Sequence, residues 1–190
     1  MSAPPILTAL RDATRDLHDA TEQHAYAAEI RERTLRPEQL TDLLQKQRRL
    51  HEYFDDCFAK SRHLLPAEHA LLSLLKTRRA EWLPENDLPT ISTEPYTSPA
   101  ALTGALYVVL GSSMGSRMIA KQLARTPGLE TMDFSFYERM GDVGGREWRV
   151  FLDFLKSAEW TEAEITEASA AARATFETFG RVFQKKTSSV

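Results

Sequence analysis

Residues 105–119, Ala-Leu-Tyr-Val-Val-Leu-Gly-Ser-Ser-Met-Gly-Ser-Arg-Met-Ile, form the centre of an apolar segment that begins at Pro99. Its apolar residues recur at helical spacing, and a proline suits the first turn of a helix. Gly104, Gly111 and Gly115 then fall on one strip, about 20° to either side of their mean direction. Each interior glycine costs about 1 kcal/mol relative to alanine, so three of them need a structural reason. Two reasons remain open: close packing of another helix, or close approach of the backbone to a flat ligand, with a bend between the last two glycines.

Helical spacing extends over most of the chain on either side of this segment. The first predicted helix runs through Leu7–Thr21, the second begins at Pro37, and the third runs from Pro66 towards Trp82. The fourth runs from Pro99 to about Ala124, and a short helical piece at Phe134–Met140 stops at Gly141. The fifth carries Trp148 and Leu155, and the last begins with a capping box at Thr161–Glu164. Four prolines make the stretch from Pro84 to Pro99 a loop. No alternating strand pattern occurs. The sequence therefore predicts an all-α, single-domain fold over residues 1–190, with a polar tail from about residue 185.

Composition and charge narrow the classes of function. A chain of 190 residues with 42% hydrophobic and 27% charged residues is typical of one soluble domain. The net charge of -3 gives no sign of nucleic acid or an anionic membrane surface, and no apolar run approaches the roughly 20 residues of a membrane span. Met1–Leu10 lacks the pattern of a secretory signal. The single cysteine, Cys57, excludes an intrachain disulfide and is expected in the core. We expect a cytoplasmic protein of a size consistent with a monomer.

The first predicted helix contains a histidine with the neighbours of a metal ligand. It includes Leu10-Arg-Asp-Ala-Thr-Arg-Asp-Leu-His-Asp-Ala-Thr-Glu22, in which Glu22 follows His18 by four residues, so both side chains can meet on one face. A carboxylate that accepts the imidazole N–H leaves the other ring nitrogen free for a metal. Arg15 and Arg11 lie one and two turns before the histidine, within roughly 60° of it around the axis. An imidazole beside two guanidiniums suits haem, because its iron takes an axial ligand and its propionates bind cations.

A structural interpretation of the same helix stays open. His18 can be a core histidine satisfied by Glu22, with solvated arginines beside it, since pairs four residues apart are common on helices. The remaining histidines lack the repeated carboxylate–histidine spacing of a di-iron helical bundle. We therefore expect surface or rim positions for His24, His51, His63 and His69.

Three segments together resemble the biliverdin-producing haem oxygenase family. Leu10–Glu22 resembles the proximal-helix motif of that family, and Ala105–Ile119 resembles the glycine-rich distal helix of its bacterial branch. Phe134–Gly141, followed by Gly145–Phe151, resembles a later segment of the same branch. The resemblance covers most of the chain in the family's order. It implies a multi-helical fold in which haem lies between the proximal helix and the distal helix.

The resemblance also implies a role for particular residues. The residues implied to bind haem are Arg11, Arg15, His18, Glu22 and Arg149, and those implied to form the catalytic distal face are Gly111, Ser112 and Gly115. His18 is the implied axial ligand of the iron, Glu22 its hydrogen-bond partner, and the arginines the contacts of the propionates. Members of the family open haem at a meso carbon with dioxygen and external electrons, from a donor such as ferredoxin, a reductase or ascorbate. The products are biliverdin, carbon monoxide and ferrous iron.

Two positions depart from the family pattern. Leu110 stands where bacterial relatives often have glutamate, and Ser116 replaces a frequent glycine. A lost carboxylate or a bulkier side chain would rearrange water on the distal face. The alternative function is therefore a non-catalytic haem carrier or sensor on the same fold. A third possibility is a helical enzyme or scaffold without haem.

Overall fold

A computed structural model of the chain describes residues 4–24, 26–85, 89 and 91–183, without the side chains of residues 22–24. Within these residues the chain is helical and contains no strand, which confirms the predicted all-α class. The α-helices are α1 Pro5–His24, α2 Ala27–Glu32, α3 Pro37–Ser61, α4 Leu71–Leu74, α5 Pro99–Ser112, α6 Ser116–Leu123, α7 Ser135–Ser157 and α8 Glu162–Phe183, with 3-10 helices at Arg62–Leu64, Arg79–Trp82 and Ser113–Gly115. None of the described helices is both long and apolar enough to cross a membrane. The predicted polar tail lies outside the described residues.

Helix α5 lies at the centre of the fold. Its N-cap is Ser98, whose hydroxyl accepts a hydrogen bond of 3.0 Å from the backbone N–H of Ala101, and Pro99 occupies the first turn. Leu102 and Leu106 are fully buried, and apolar side chains cover all sides of the helix. A helix that is apolar all round needs partners on all sides, and α5 packs against α7 and α8.

Gly104 allows α5 to approach α8 closely. A Cβ atom at this position would overlap the backbone carbonyl oxygen of Ala168 on α8. Ala168 and Ala172 are themselves small and fully buried. Helix–helix packing is therefore the reason for the first glycine of the strip.

Helix α8 also holds α1 in place. It begins at the predicted capping box, in which the N–H of Thr161 donates to Glu164 Oε2 at 2.8 Å and the N–H of Glu164 donates to Thr161 Oγ1 at 3.3 Å. Further along, Arg173 forms a salt bridge of 3.0 Å with Asp16 on α1 and donates to the carbonyl of Ala13. This two-point contact fixes the middle of α1 against α8.

The prediction of two separate helices over residues 134–155 was wrong, because α7 runs unbroken through Gly141. A Cβ at Gly141 would come within 3.0 Å of Arg117 on α6, and one at Gly144 would overlap the hydroxyl of Ser113. These glycines serve close packing of α7 against the Ser113–Gly115 turn and α6. Tertiary contacts outweigh the tendency of glycine to end a helix.

The predicted third helix is mostly absent, since only α4 and the 3-10 turn Arg79–Trp82 are helical in this region. Polar tertiary contacts hold the turn in place of a continuous helix. The fully buried Arg79 forms a salt bridge of 2.5 Å with Glu147 on α7, and Asp55 on α3 accepts a hydrogen bond of 3.0 Å from the N–H of Ala80. Apolar spacing alone carries no information about these contacts.

The expectation that His51 lies at the surface was also wrong, because its side chain is buried on the inward face of α3. Its ring centroid lies 5.4 Å from that of Phe136. Burial, and then the nearby charge of Arg79, lowers the pKa of His51 to about 3, so the native protein holds it neutral. Cys57, one and a half turns later, is buried as predicted.

The six-residue helix α2 is missing from the predicted set. Tyr26 and Arg33 flank it in the left-handed conformation, with φ values of 57° and 58°. Residues other than glycine adopt this conformation rarely, so neither residue type marks a helix boundary. The helix turns the chain back from α1 towards α6, where it packs.

Candidate functional site

A cavity of about 630 Å³ lies between α1, α2 and α8 on one side and α5, the Ser113–Gly115 turn and α6 on the other. Its volume falls in the range of roughly 300–1,000 Å³ that is usual for small-molecule sites. Apolar side chains dominate its lining, and α8 contributes three aromatic rings, those of Phe176, Phe179 and Phe183. The cavity therefore suits a largely apolar ligand.

His18 lies in the wall that α1 contributes. Its side chain is 57% exposed, and its Nδ1 atom lies 3.7 Å from Asp19 Oδ1, which is longer than a hydrogen bond. Its ring faces Phe176, with the centroids 6.1 Å apart and the ring planes at 70°. The imidazole is accessible from the cavity, as a ligand to a metal must be. The side chain of Glu22, its predicted partner, lies outside the described residues.

The glycine-rich turn forms another part of the wall. Gly111, Ser112 and Gly115 line the cavity, and the 3-10 turn at Ser113–Gly115 provides the predicted bend between α5 and α6. A Cβ at Gly115 would meet nothing within 4 Å, and one at Gly111 would lie 3.8 Å from the Trp148 ring. Close packing is therefore not the reason for these two glycines, in contrast to Gly104.

The hydroxyl of Ser112 donates a hydrogen bond of 2.8 Å to the carbonyl oxygen of Val109. Its oxygen keeps lone pairs that can accept a hydrogen bond from a molecule in the cavity. Leu110 and Ser116, which depart from the family pattern, are buried and do not belong to the cavity wall. Neither side chain therefore reduces the space beside the glycines.

The three arginines predicted to contact the propionates lie outside the cavity wall. Arg15 is exposed and forms a salt bridge of 2.7 Å with Asp12 on its own helix. Arg149 is exposed on α7, and none of Arg11, Arg15 and Arg149 is among the described residues that line the cavity. Arg11 is nevertheless close enough to act on a lining residue, Tyr107.

Tyr107 connects Arg11 with the cavity. Burial raises the pKa of Tyr107, while a hydrogen bond with Thr14 and the positive charge of Arg11 act in the opposite direction. Its ring also packs on Trp148, with the centroids 5.7 Å apart. Tyr107 therefore stands in the cavity wall, and Arg11 is near enough for its charge to act on the pKa of that phenol.

Sequence reasoning missed two residues that the cavity uses. Arg31 lines the cavity from α2, and no sequence signal pointed to it because α2 itself was not predicted. Phe176 follows the helical spacing of apolar residues in the last helix, which predicts an inward position, and its ring also forms part of the cavity wall beside His18. A helical pattern identifies an inward face but not which part of that face borders a cavity.

The arrangement fits a flat apolar ligand with a central metal. An accessible imidazole stands in one wall, the glycines Gly111 and Gly115 stand in another, and aromatic rings contribute to the lining around both. A neutral imidazole is an axial ligand for haem iron, and glycine allows the backbone to approach a flat ring.

Comparison with known proteins agrees with this interpretation. The Heme oxygenase family model matches residues 85–185, which cover α5 to α8 but not the helix that carries His18. A protein named Heme oxygenase from Xanthomonas campestris pv. campestris (strain 8004) is 37% identical over 86 residues, which are 45% of this chain and 51% of that relative. The chain thus spans about half the length of the curated relative that it matches. No solved structure matches the chain.

Proposed function

This chain belongs to the haem oxygenase family, and we propose that it cleaves haem at a meso carbon to biliverdin, carbon monoxide and ferrous iron, with dioxygen and external electrons. One observation carries the proposal. The accessible imidazole of His18 and the open turn formed by Gly111 and Gly115 face the same apolar cavity, although they are distant in sequence. This arrangement supports the proposal, because a haem-degrading site needs an iron ligand in one wall and open space for dioxygen in another.

His18 is the proposed axial ligand of the iron. Helix α1 holds it in position through the contacts of Asp16 with Arg173, two residues before the histidine. The Phe176 ring, which forms a T-shaped pair with the imidazole, limits its tilt on the side of α8. Bound haem supplies the redox chemistry on its own ring, and the protein contributes placement and control of water.

The distal face is the proposed place of dioxygen and ordered water. Gly111 and Gly115 keep this space free of side chains, and Ser112 offers an acceptor for a hydrogen bond from water. Met118 and Ile119 add apolar surface to the same wall. Dioxygen held in one orientation, with few competing waters, favours attack at a single ring position.

Arg11, with Tyr107, is a proposed contact for the haem propionates. A guanidinium and a phenol hydroxyl both donate to carboxylate oxygens; Tyr107 lines the cavity, and Arg11 is near enough for its charge to lower the pKa of Tyr107. Arg15 and Arg149 stay predictions, since Arg15 is already paired with Asp12. We expect the electrons to come from a ferredoxin or a reductase of the cytoplasm, with ascorbate as a substitute in vitro.

The experiment that tests the proposal adds haem to the protein and then ascorbate or a ferredoxin couple in air. We expect a shifted haem absorption band on binding, followed by its loss and the appearance of biliverdin absorption. Chromatography of the product against biliverdin standards identifies the isomer. If the protein binds haem but forms no biliverdin with any reductant, it is a haem carrier or sensor and the proposal is wrong.

A further inference from the structure

Two methionines of the cavity wall are accessible from outside the protein. Met114 and Met118 are the exposed large hydrophobic side chains of the described part of the chain, at 53% and 66% exposure. Met114 lies in the Ser113–Gly115 turn, Met118 follows one turn later in α6, and both line the cavity. An accessible thioether reacts with oxidants, and its oxidation replaces an apolar side chain by a polar one. The two side chains therefore combine reactivity with a place in the wall that binds the ligand.

The other described sulfur-containing side chains are less accessible and lie away from the cavity. Met140 is 2% exposed on α7, and Met132 is half-buried and packs against the core. Neither of them lines the cavity, and Cys57 does not line it either. Cys57 is buried on α3, and burial raises the pKa of its thiol, which disfavours the reactive thiolate. Oxidation of sulfur should therefore begin at Met114 and Met118.

The proposed function provides an oxidant at this wall, and the inference rests on that function. Met114 and Met118 share the wall with Gly111 and Gly115, beside which dioxygen is proposed to bind. Dioxygen that takes up two electrons and two protons and then leaves without attacking the haem ring becomes hydrogen peroxide. Peroxide released there is formed beside the two accessible thioethers.

We propose that Met114 and Met118 form a peroxide-sensitive modification site, and that their oxidation to the sulfoxides weakens haem binding. The sulfur lone pair attacks one oxygen of hydrogen peroxide, and an S–O bond forms as the O–O bond breaks. The other oxygen leaves as water with both protons. The sulfur loses two electrons, and the peroxide gains them. A methionine sulfoxide reductase, with a thiol as the source of electrons, reverses the change.

The sulfoxide alters the chemistry of the cavity wall. Its oxygen is a strong hydrogen-bond acceptor that holds water, whereas the thioether sulfur is a weak one. Apolar side chains dominate the lining, so a flat apolar ligand that covers this oxygen removes its water without replacing the hydrogen bond. The cost falls on the bound state, and haem affinity decreases. Loss of haem then ends the production of peroxide at the site.

A peptide map tests the order of oxidation without haem. Trypsin cleaves after arginine and lysine, so each of the four described methionines has a tryptic peptide of its own: 80–117 for Met114, 118–121 for Met118, 126–139 for Met132 and 140–146 for Met140. The native protein is treated with hydrogen peroxide for increasing times, and mass spectrometry measures the oxidised fraction of each peptide. We expect Met114 and Met118 to oxidise about tenfold faster than Met140, with Met132 in between. Oxidation of Met132 or Met140 as fast as that of Met118 would overturn the inference.

Haem titration before and after peroxide treatment tests the consequence for binding, with the peroxide removed before haem is added. Each protein is its own reference, so the readout is the ratio of its two affinities. We expect the oxidised wild type to bind haem about threefold to tenfold more weakly. The double variant M114L/M118L carries apolar side chains that peroxide does not oxidise, and its ratio should stay near one. Met132→Leu is the matched control and should lose the same factor as the wild type.

Reversal of the modification is a further readout, since a methionine sulfoxide reductase should restore the affinity of the oxidised wild type. An oxidised wild type that binds haem as tightly as before would overturn the inference. A double variant that loses the same factor as the wild type would overturn it as well. An untreated wild type that binds no haem would instead overturn the proposed function, and the peptide map, which requires no haem, separates the two failures.

Discussion

The rings of Phe176 and His18 form a T-shaped pair, with the ring centroids 6.1 Å apart and the planes at 70°. The two residues belong to helices from opposite ends of the chain, α8 and α1. Three residues before Phe176, Arg173 binds Asp16, two residues before His18. Helix α8 therefore sets both the position of the proposed ligand and the direction in which its ring points.

Phe176→Leu tests this relationship. Leucine fills much of the same volume but removes the aromatic edge, so we expect haem affinity to fall about threefold to tenfold. The matched control is Phe154→Leu, which removes a comparable contact with His69 at 5.0 Å, away from the cavity. Titration of both variants with haem gives the comparison. Equal affinities for the two variants would show that the contact between Phe176 and His18 does not support the ligand.

Gly115→Leu tests the assignment of the distal face. The position has no neighbour within 4 Å of a Cβ, so the leucine should enter the cavity instead of disturbing the core. We expect ferric haem to keep its imidazole ligand and biliverdin formation to slow about 100-fold, because small misplacements of reacting atoms are costly. Gly145→Leu, on α7 and equally open but outside the cavity wall, is the control. Biliverdin formation by Gly115→Leu at the wild-type rate would show that Gly115 does not form part of the distal face.

Gly104→Ala and Gly180→Ala test the structural role of the first glycine. An alanine at position 104 would overlap the carbonyl of Ala168, whereas one at position 180 would meet nothing within 4 Å. We expect Gly104→Ala to lower the free energy of unfolding by about 1–3 kcal/mol and Gly180→Ala to raise it by about 1 kcal/mol. Urea unfolding measures both. A neutral Gly104→Ala would contradict the close packing of α5 on α8.

The buried His51 predicts a dependence of stability on pH. Its pKa of about 3 lies below its ordinary value of 6.5, so between these values the unfolded chain binds a proton that the native protein excludes. His51 therefore destabilises the native state as the pH falls below about 6.5, by about 2 kcal/mol at pH 5. In His51→Gln this loss should be absent. Burial raises the pKa of Asp55, which acts in the opposite direction, but Asp55 is present in both proteins.

Urea unfolding of the wild type and His51→Gln at about pH 7.5 and pH 5 measures this difference. The wild type should lose about 2 kcal/mol more than the variant on acidification. If the free energies of unfolding of the two proteins change in parallel, His51 titrates normally in the native state.

The glycines show how far the sequence alone can predict the site. The spacing of Gly104, Gly111 and Gly115 predicted that they lie on one strip of a helix. It also gave two possible reasons for that strip, close helix packing or close approach of the backbone to a ligand. Spacing could not show which reason applies to which glycine, because that depends on what packs beside each one. A Cβ at Gly104 would overlap the carbonyl of Ala168 on α8, whereas a Cβ at Gly115 would meet nothing within 4 Å. Local periodicity determines a face, and tertiary packing determines what that face contacts.

The same limit explains why the sequence predicted neither Arg31 as a cavity residue nor α7 as one continuous helix. Arg31 lies in a six-residue helix between two left-handed residues, and neither Tyr26 nor Arg33 is a residue type that indicates such a turn. The continuity of α7 depends on Ser113 and Arg117, which belong to another part of the chain. The prediction of His18, by contrast, needed only residues of its own helix; the structure places His18 in the cavity wall, and its role as a ligand stays a prediction.

The ferric haem spectrum of His18→Ala, with and without added imidazole, tests the central claim most directly. Alanine is well tolerated in a helix, so the variant should fold as the wild type does. We expect it to bind haem more weakly, with a spectrum that lacks the features of imidazole ligation and regains them when free imidazole is added. An unchanged spectrum and unchanged affinity in His18→Ala would contradict the account, because haem would then be held by another residue.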